Sequence, residues 1–320
     1  MKSNLRGALL ALLAFAIWST HDVVVKTLGG IYSPVQIIFF SVLLGFPLAT
    51  LMLMNDRTDG NLRPRHPWWT AIRTVSAVIT GLCAFYAFSV LPLAQTYALL
   101  FATPLLITLL AIPILGERVG IRRGLAVVVG LIGVIIVLRP GQADLQWGHL
   151  AGIMAAVFSS LASVIVRKIG QDERSVVLLL YPMVANFAVM GLALPLVYKP
   201  MPIEHIGLLG IIAIFNFAAT LLVIYAYRAA EAVIVAPMQY SQMIWAAIFG
   251  AMFFSETPDL YTLIGAAVII ASGVYIVLRE GGGKVATSRP VIDSRSRVET
   301  GTMPRISLML SRLAARDSIE

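Results

Sequence analysis

The sequence predicts an all-α integral membrane protein with ten transmembrane helices, arranged as two inverted five-helix repeats. Three features indicate this fold class: an apolar composition, apolar runs long enough to span a bilayer, and motifs that recur between the two halves. Of the 320 residues, 59% are hydrophobic and 12% are charged, and the mean hydropathy is +0.88. Soluble domains carry about 25% charged residues, so a soluble fold has too little interior for this apolar surface. We therefore expect the lipid bilayer to surround most of the chain.

Ten apolar runs lie between polar or Pro/Gly breaks, and each is close to the length of about 20 residues that a transmembrane helix needs. Together they leave only short loops, which excludes a separate soluble catalytic domain. The predicted spans are 5–28, 34–54, 67–90, 93–114, 121–138, 147–168, 174–197, 204–228, 231–252 and 259–278.

The basic residues are distributed unevenly between the loops that alternate along the chain. With the N-terminus inside the cell, twenty of the 24 Lys and Arg residues lie in cytoplasmic segments, and Lys26, Arg139 and Lys199 lie outside. Cytoplasmic loops of membrane proteins carry an excess of Lys and Arg. The net charge of +8 therefore indicates membrane topology rather than nucleic-acid binding, and it predicts an inner-membrane protein with both termini in the cytoplasm.

The two halves of the chain resemble each other in sequence. GVIIVLR at 133–139 matches GVYIVLR at 273–279 at six of seven positions. At a constant offset of 141, Gly7, Ser19, Val23, Val25, Lys26 and Gly29 align with Gly148, Ser160, Val164, Val166, Arg167 and Gly170. Five spans per copy is an odd number, so the second copy must cross the membrane in the opposite direction. Inverted repeats around a midplane site are typical of secondary transporters.

The composition also divides the chain into three regions. We predict a first repeat over residues 1–140, a second over 141–280 and a disordered basic cytoplasmic tail over 281–320. The tail begins with three glycines and is rich in Ser, Thr, Arg and Pro, a composition that cannot bury enough apolar surface to fold. Its residues Ile306, Met309, Leu310 and Leu313 share one helical face, so this part either lies on the inner leaflet or has no fixed structure.

Motifs for an enzyme or a metal site are missing from the sequence. Cys83 is the single cysteine, and the four histidines form no HExxH or HxxxH pair. The sequence has no GxxxxGK[ST] loop for ATP-driven transport and no evident nucleophile with its base. We therefore expect a secondary carrier for a small molecule, with no cofactor and no metal; the sequence does not indicate an oligomeric state.

Charged residues inside the first span are candidates for the substrate site. A charge at the bilayer centre costs about 2.5–3.5 kcal/mol on insertion scales, so each charged group needs a partner or a function. Asp22 and Lys26 are one helical turn apart and can pair with each other. Alternatively, His21 lines the cavity and Asp22 contacts the substrate or a proton. Both interpretations remain open from the sequence.

Other polar side chains inside the spans complete the candidate site. Gln239 and Gln242 share a helix face, and amides both donate and accept hydrogen bonds, which suits a polar but neutral ligand. Tyr240 lies between them in sequence, and Gln95 and Tyr97 open the corresponding fourth span. Arg73 either contacts the substrate or extends along the third span to the cytoplasmic headgroups. Glu117 and Glu256, at equivalent positions in the two repeats, are interpreted as loop anchors near the membrane surfaces. The candidate substrate-binding residues are His21, Asp22, Arg73, Gln95, Tyr97, Gln239, Tyr240 and Gln242.

These features resemble the EamA-type carriers of the drug/metabolite transporter superfamily. The resemblance rests on Trp18 in the first span, on LPLAQTYALLFATPLLITLLAIPILGE at 91–117 and on the glycine-rich fifth and tenth spans. The stretches at 19–30, 32–47 and 236–246 are most similar to bacterial riboflavin transporters, and more distantly similar to S-adenosylmethionine uptake carriers.

This resemblance implies riboflavin uptake across the inner membrane. The alternatives are S-adenosylmethionine-like uptake and export of amino acids or drugs. Carriers of S-adenosylmethionine resemble this chain but carry an arginine and a glutamate at the positions of Gln239 and Gln242, and an arginine at the position of Ser41.

Overall fold

The structure is a bundle of α-helices. The computed structural model describes residues 2–54, 62–117, 119–140, 146–170, 172–173, 175–230 and 232–281. Nearly all of the predicted tail, 281–320, lies outside the described residues. The helices are α1 (Lys2–Gly29), α2 (Pro34–Met54), α3 (Pro67–Val90), α4 (Leu93–Leu100), α5 (Thr103–Leu115), α6 (Ile121–Leu138), α7 (Trp147–Ile169), α8 (Ser175–Val197), α9 (Ile203–Ala229), α10 (Ala232–Val235), α11 (Ser241–Phe254) and α12 (Leu260–Gly281).

These helices are long and apolar enough to account for most of the predicted spans. In the described part of the chain, eight helical stretches of at least 18 residues can cross a membrane by length and composition, and Pro34–Thr50 is a shorter apolar helix. Large apolar side chains lie on the outside of the bundle, and Leu192 and Leu196 are 83% and 86% exposed. Such a surface is stable in lipid rather than in water, because exposed contiguous apolar area is rare on soluble monomers.

Two of the predicted spans are interrupted. The predicted span 93–114 is divided into α4 and α5 by a turn at Phe101 and Ala102, where the Phe101 N–H bonds to the Tyr97 carbonyl and the Ala102 N–H to the Leu99 carbonyl. The predicted span 231–252 consists of the short α10, a 3₁₀ segment over Ala236–Tyr240 and α11. Discontinuous helices at the midplane are a feature of substrate sites in transporters.

The interhelical packing follows the internal repeat. Helix α1 packs along α9, and its repeat counterpart α7 packs along α3. Helices α6 and α12, which are each other's counterparts, pack together. A Cβ on Gly265 would lie 2.6 Å from the Gly133 carbonyl oxygen, and a Cβ on Gly133 would lie 2.9 Å from the Gly265 carbonyl oxygen. Small residues at such crossings allow membrane helices to approach closely, so these glycines hold the last spans of the two repeats in contact.

Candidate functional site

The two interrupted helices meet at their breaks. Phe101 and Tyr240 are equivalent positions at the offset of 139 that aligns the fourth and ninth spans. Their ring centroids lie 5.2 Å apart with an interplanar angle of 83°. The Phe101 ring is also 6.0 Å from that of Tyr97. Edge-to-face contacts of this kind are favourable between aromatic rings. The contact therefore brings the irregular parts of the two repeats together inside the bundle.

A hydrogen-bonded chain of polar side chains lies next to this contact. On α1, His21 Nδ1 is 2.8 Å from Asp22 Oδ1. The Tyr97 hydroxyl on α4 donates to Asp22 Oδ2, and Gln242 Nε2 on α11 donates to the Tyr97 hydroxyl at 3.4 Å. We call His21, Asp22, Tyr97 and Gln242 the central polar cluster. It joins three helices that are far apart in the sequence.

The hydrogen-bond directions in the central polar cluster follow from the chemistry of its groups. An ionised carboxylate only accepts hydrogen bonds, so with Asp22 ionised the hydrogen bond to His21 requires the proton on the histidine Nδ1. Both oxygens of Asp22 have a donor, and the Asp22 side chain is 13% exposed. The Tyr97 hydroxyl donates to Asp22 and accepts from Gln242, so its orientation is fixed from both sides.

One hydrogen-bond acceptor of the central polar cluster has no partner in the described part of the chain. Gln242 is 1% exposed, and its Oε1 has no hydrogen-bond partner among the residues that the structure describes. A buried polar atom without a partner costs about 1–3 kcal/mol and calls for an explanation. The Gln242 amide oxygen therefore offers a position for a donor group of a ligand.

Asp22 and Lys26 do not pair with each other as one of the two interpretations from the sequence predicted. Lys26 Nζ instead lies 2.7 Å from Glu256 Oε1. Helical spacing permits a contact between residues one turn apart, but it cannot show the partners that other helices bring. The predicted Asp22–Lys26 pair is therefore wrong, and Asp22 belongs to the central polar cluster.

Arg73 is buried, with 4% of its surface exposed, so its side chain does not extend to the headgroups as one interpretation predicted. Its Nη1 donates to the Leu178 carbonyl of α8. That carbonyl would normally accept from the N–H of residue 182, but Pro182 has no N–H. Arg73 therefore satisfies a backbone group that the proline leaves without its helical partner. This contact gives Arg73 a structural role in joining α3 to α8.

The remaining candidates are not members of the central polar cluster. Gln95 Nε2 is 2.9 Å from Nε2 of His149 on α7. His149 Nδ1 also accepts from the Gln146 N–H at 3.1 Å, which caps the start of α7. Gln239 is half-buried in the 3₁₀ segment. His149 was not predicted, because nothing in the sequence pairs it with Gln95, 54 positions away.

The comparisons with known proteins agree with this architecture. Residues 5–139 and 146–279 each match the EamA-like transporter family. The "Pseudopaline exporter CntI" of Pseudomonas aeruginosa is 26% identical over 271 residues, which are 83% of this chain and 94% of that protein. The "S-adenosylmethionine uptake transporter" of Rickettsia prowazekii is 25% identical over 281 residues, 88% of this chain and 95% of that protein.

A further relative is named for riboflavin, the substrate that the sequence resemblance implied. The "Riboflavin transporter" of Rhizobium johnstonii is 28% identical over 221 residues, 68% of this chain and 73% of that protein. A solved structure, described only as "Crystal structure of protein", shares the fold with a TM-score of 0.55 at 18% identity, covering 83% of this chain and 96% of that chain. The predicted family resemblance and the all-α, two-repeat membrane fold are confirmed. The chain belongs to the EamA-like transporter family and is a multi-pass membrane transporter, not an enzyme.

Proposed function

We propose that the protein takes up riboflavin across the inner membrane. The observation that carries this proposal is the buried Gln242 amide oxygen, which has no partner in the described part of the chain. Riboflavin is neutral at physiological pH, and its ring system carries an imide N–H that can donate to such an acceptor. Its ribityl chain adds hydroxyl groups, which suit a site of amides and hydroxyls.

The charge of the central polar cluster supports a neutral substrate. Both oxygens of the Asp22 carboxylate are already hydrogen-bonded, one to His21 and one to Tyr97, so a cationic substrate would share this carboxylate with two donors already in place. The ring of Tyr97, a member of the cluster, lies next to that of Phe101, which in turn contacts Tyr240. Flat aromatic surfaces of this kind can stack on the isoalloxazine ring.

An S-adenosylmethionine-like substrate is the second candidate. The observation in its favour is coverage, because the Rickettsia prowazekii relative aligns with 88% of this chain whereas the riboflavin transporter aligns with 68%. The alternative predicts that the Asp22 carboxylate binds the positively charged sulfonium or amino group. Competition between the two substrates distinguishes the candidates.

We expect wild-type protein to rescue a riboflavin auxotroph at low external vitamin, and to transport labelled riboflavin into proteoliposomes. Uptake should be blocked by unlabelled riboflavin and by lumiflavin, which shares the ring system, and S-adenosylmethionine should have little effect. Empty liposomes are the control for leakage. Equal or stronger competition by S-adenosylmethionine would contradict the riboflavin proposal and leave the transporter family unchanged.

We also propose that both termini lie in the cytoplasm, because the basic residues predict this orientation. Reporter fusions should place the loops at 139–147 and 198–204 outside and the loops at 55–66 and 167–174 inside. Activity of a periplasmic reporter fused after residue 281 would contradict the orientation. A fusion in the loop at 198–204, which lies on the other side of the bilayer, is the matched positive control.

A further inference from the structure

Each end of the helix bundle has an ion pair between the two repeats. At one end, Lys26 of α1 pairs with Glu256, which follows α11, at 2.7 Å. Glu256 Oε2 also accepts from the Leu93 N–H at 3.1 Å, and Lys26 Nζ donates to the Leu91 carbonyl. The pair therefore spans the turn between α3 and α4. We call this contact the Lys26 gate pair.

The other end has an equivalent contact. Arg167 of α7 pairs with Glu117, which follows α5, at 2.5 Å. Arg167 is the repeat counterpart of Lys26, and Glu117 is the counterpart of Glu256. The neighbouring Lys168 donates to the Ile114 carbonyl at 2.8 Å and lies 4.3 Å from the centre of the Trp69 ring. We call the contact between Arg167 and Glu117 the Arg167 gate pair.

The backbone positions both glutamates in the same way. The residue before each glutamate is left-handed, with φ 71° at Gly116 and φ 54° at Ser255. The Glu117 N–H bonds to the Ala111 carbonyl at 3.4 Å, and the Glu256 N–H bonds to the Gly250 carbonyl at 2.9 Å. A left-handed serine costs about 1–2 kcal/mol. Both repeats therefore end the helix with one turn geometry that directs a carboxylate to the cation of the other repeat.

These two pairs are more buried than the other ion pairs that join the two repeats among the described residues, Arg139 with Asp259 and His66 with Asp172. The cation is 9% exposed in each gate pair, and the glutamates are 23% and 17% exposed. Lys26 and Glu117 belong to the first repeat, whereas Glu256 and Arg167 belong to the second. A movement of one repeat against the other that opens one end must therefore separate the ion pair at that end, while the opposite pair can remain formed.

We propose that the Lys26 and Arg167 gate pairs are the two alternating gates of the transporter, one on each side of the central polar cluster. Substrate enters or leaves at an end when the pair there separates. This inference rests on the transport assignment and not on the identity of the substrate. It goes beyond the predicted role of Glu117 and Glu256 as loop anchors, because it assigns each glutamate a partner that must be released during transport.

The test measures from which side the centre of the protein is reached. A Cys83→Ser background with Gln239→Cys carries one reporter thiol in the half-buried 3₁₀ segment. A membrane-impermeant maleimide labels this thiol in right-side-out and inside-out vesicles. Glu256→Gln and Glu117→Gln form a matched pair of variants, because each removes one charge at an equivalent position and keeps the shape of the side chain.

We expect Glu256→Gln to increase labelling about threefold to tenfold from the side where Lys26 lies, because a weakened gate pair shifts the population toward the open state at that end. Glu117→Gln should increase labelling by a similar factor from the opposite side. Lys26→Met should reproduce the pattern of Glu256→Gln, since it removes the other partner. Lys199→Ala, which changes an exposed lysine at the Lys26 end, should leave labelling unchanged.

The measurement needs no substrate, so its result is independent of the riboflavin proposal. Equal increases from both sides would indicate general loosening of the fold and would overturn the gate assignment. Unchanged labelling in Glu256→Gln and Lys26→Met, or an increase from the same side for both glutamate variants, would overturn it as well. If the protein transports neither S-adenosylmethionine nor riboflavin while the labelling remains side-specific, only the proposed substrate is contradicted.

Discussion

A Gln242→Leu variant is expected to transport riboflavin about tenfold more slowly than wild type, or worse, at substrate concentrations below saturation. The leucine is similar in size but cannot donate to the Tyr97 hydroxyl, which Gln242 Nε2 reaches at 3.4 Å. It also removes the buried amide oxygen that we propose as the ligand's acceptor. Loss of a buried hydrogen-bond partner costs about 1–3 kcal/mol, and each 1.4 kcal/mol is about a factor of ten.

The matched control for this prediction is Gln239→Leu, the same substitution three residues earlier. Gln239 is half-buried and lies in the 3₁₀ segment rather than in the central polar cluster, so we expect a smaller loss of transport. Initial uptake rates at equal protein abundance in membranes provide the measurement. A Gln242→Leu protein that transports riboflavin as fast as wild type would remove Gln242 from the proposed site.

The fold could be predicted from the sequence because a lipid environment restricts the backbone to few structures. Every backbone polar group within the bilayer core must be satisfied internally, so a long apolar run becomes a helix. The predicted spans 67–90 and 121–138 coincide with α3 and α6. Motifs that recur between the halves at offsets of 139 to 141 residues then predicted the two-repeat arrangement, which the family match supports.

The position of the break between α4 and α5 was not predicted. The apolar pattern from 93 to 114 is continuous, and Pro104 alone does not distinguish a kink from a turn. The chain turns at Phe101 and Ala102, where the Phe101 ring contacts Tyr240 of the other repeat. The break thus depends on tertiary contacts that a local pattern does not contain.

The composition of the candidate site was predicted better than its connections. His21, Asp22, Tyr97 and Gln242 were all candidates, and the structure joins them in one chain of hydrogen bonds. Their partners lie 75 and 145 positions apart in sequence, beyond the reach of helical periodicity. The same limitation explains the error at Lys26, since its partner Glu256 belongs to the other repeat.

The last prediction concerns Asp22, the residue on which the central polar cluster depends. Asp22→Asn should lower transport about tenfold or more, because asparagine has one acceptor oxygen where aspartate has two. The amide nitrogen would then face either His21 or the Tyr97 hydroxyl. An amide nitrogen facing His21 would force the histidine into its other tautomer, and one facing Tyr97 would deprive the hydroxyl proton of its acceptor. A buried donor without an acceptor costs about 1–3 kcal/mol.

Three further variants separate this role of Asp22 from a general effect on folding. His21→Ala should also reduce transport, because it removes one donor to Asp22. Tyr97→Phe removes the other donor, so combining it with Asp22→Asn should cost less than the sum of the two single changes if both act on one interaction. Lys199→Ala, in which an exposed side chain loses only a bond to the Ile31 carbonyl at 2.9 Å, is the control and should transport nearly normally. Wild-type uptake by both Asp22→Asn and His21→Ala at equal abundance would mean that the hydrogen bond between His21 and Asp22 has no part in transport.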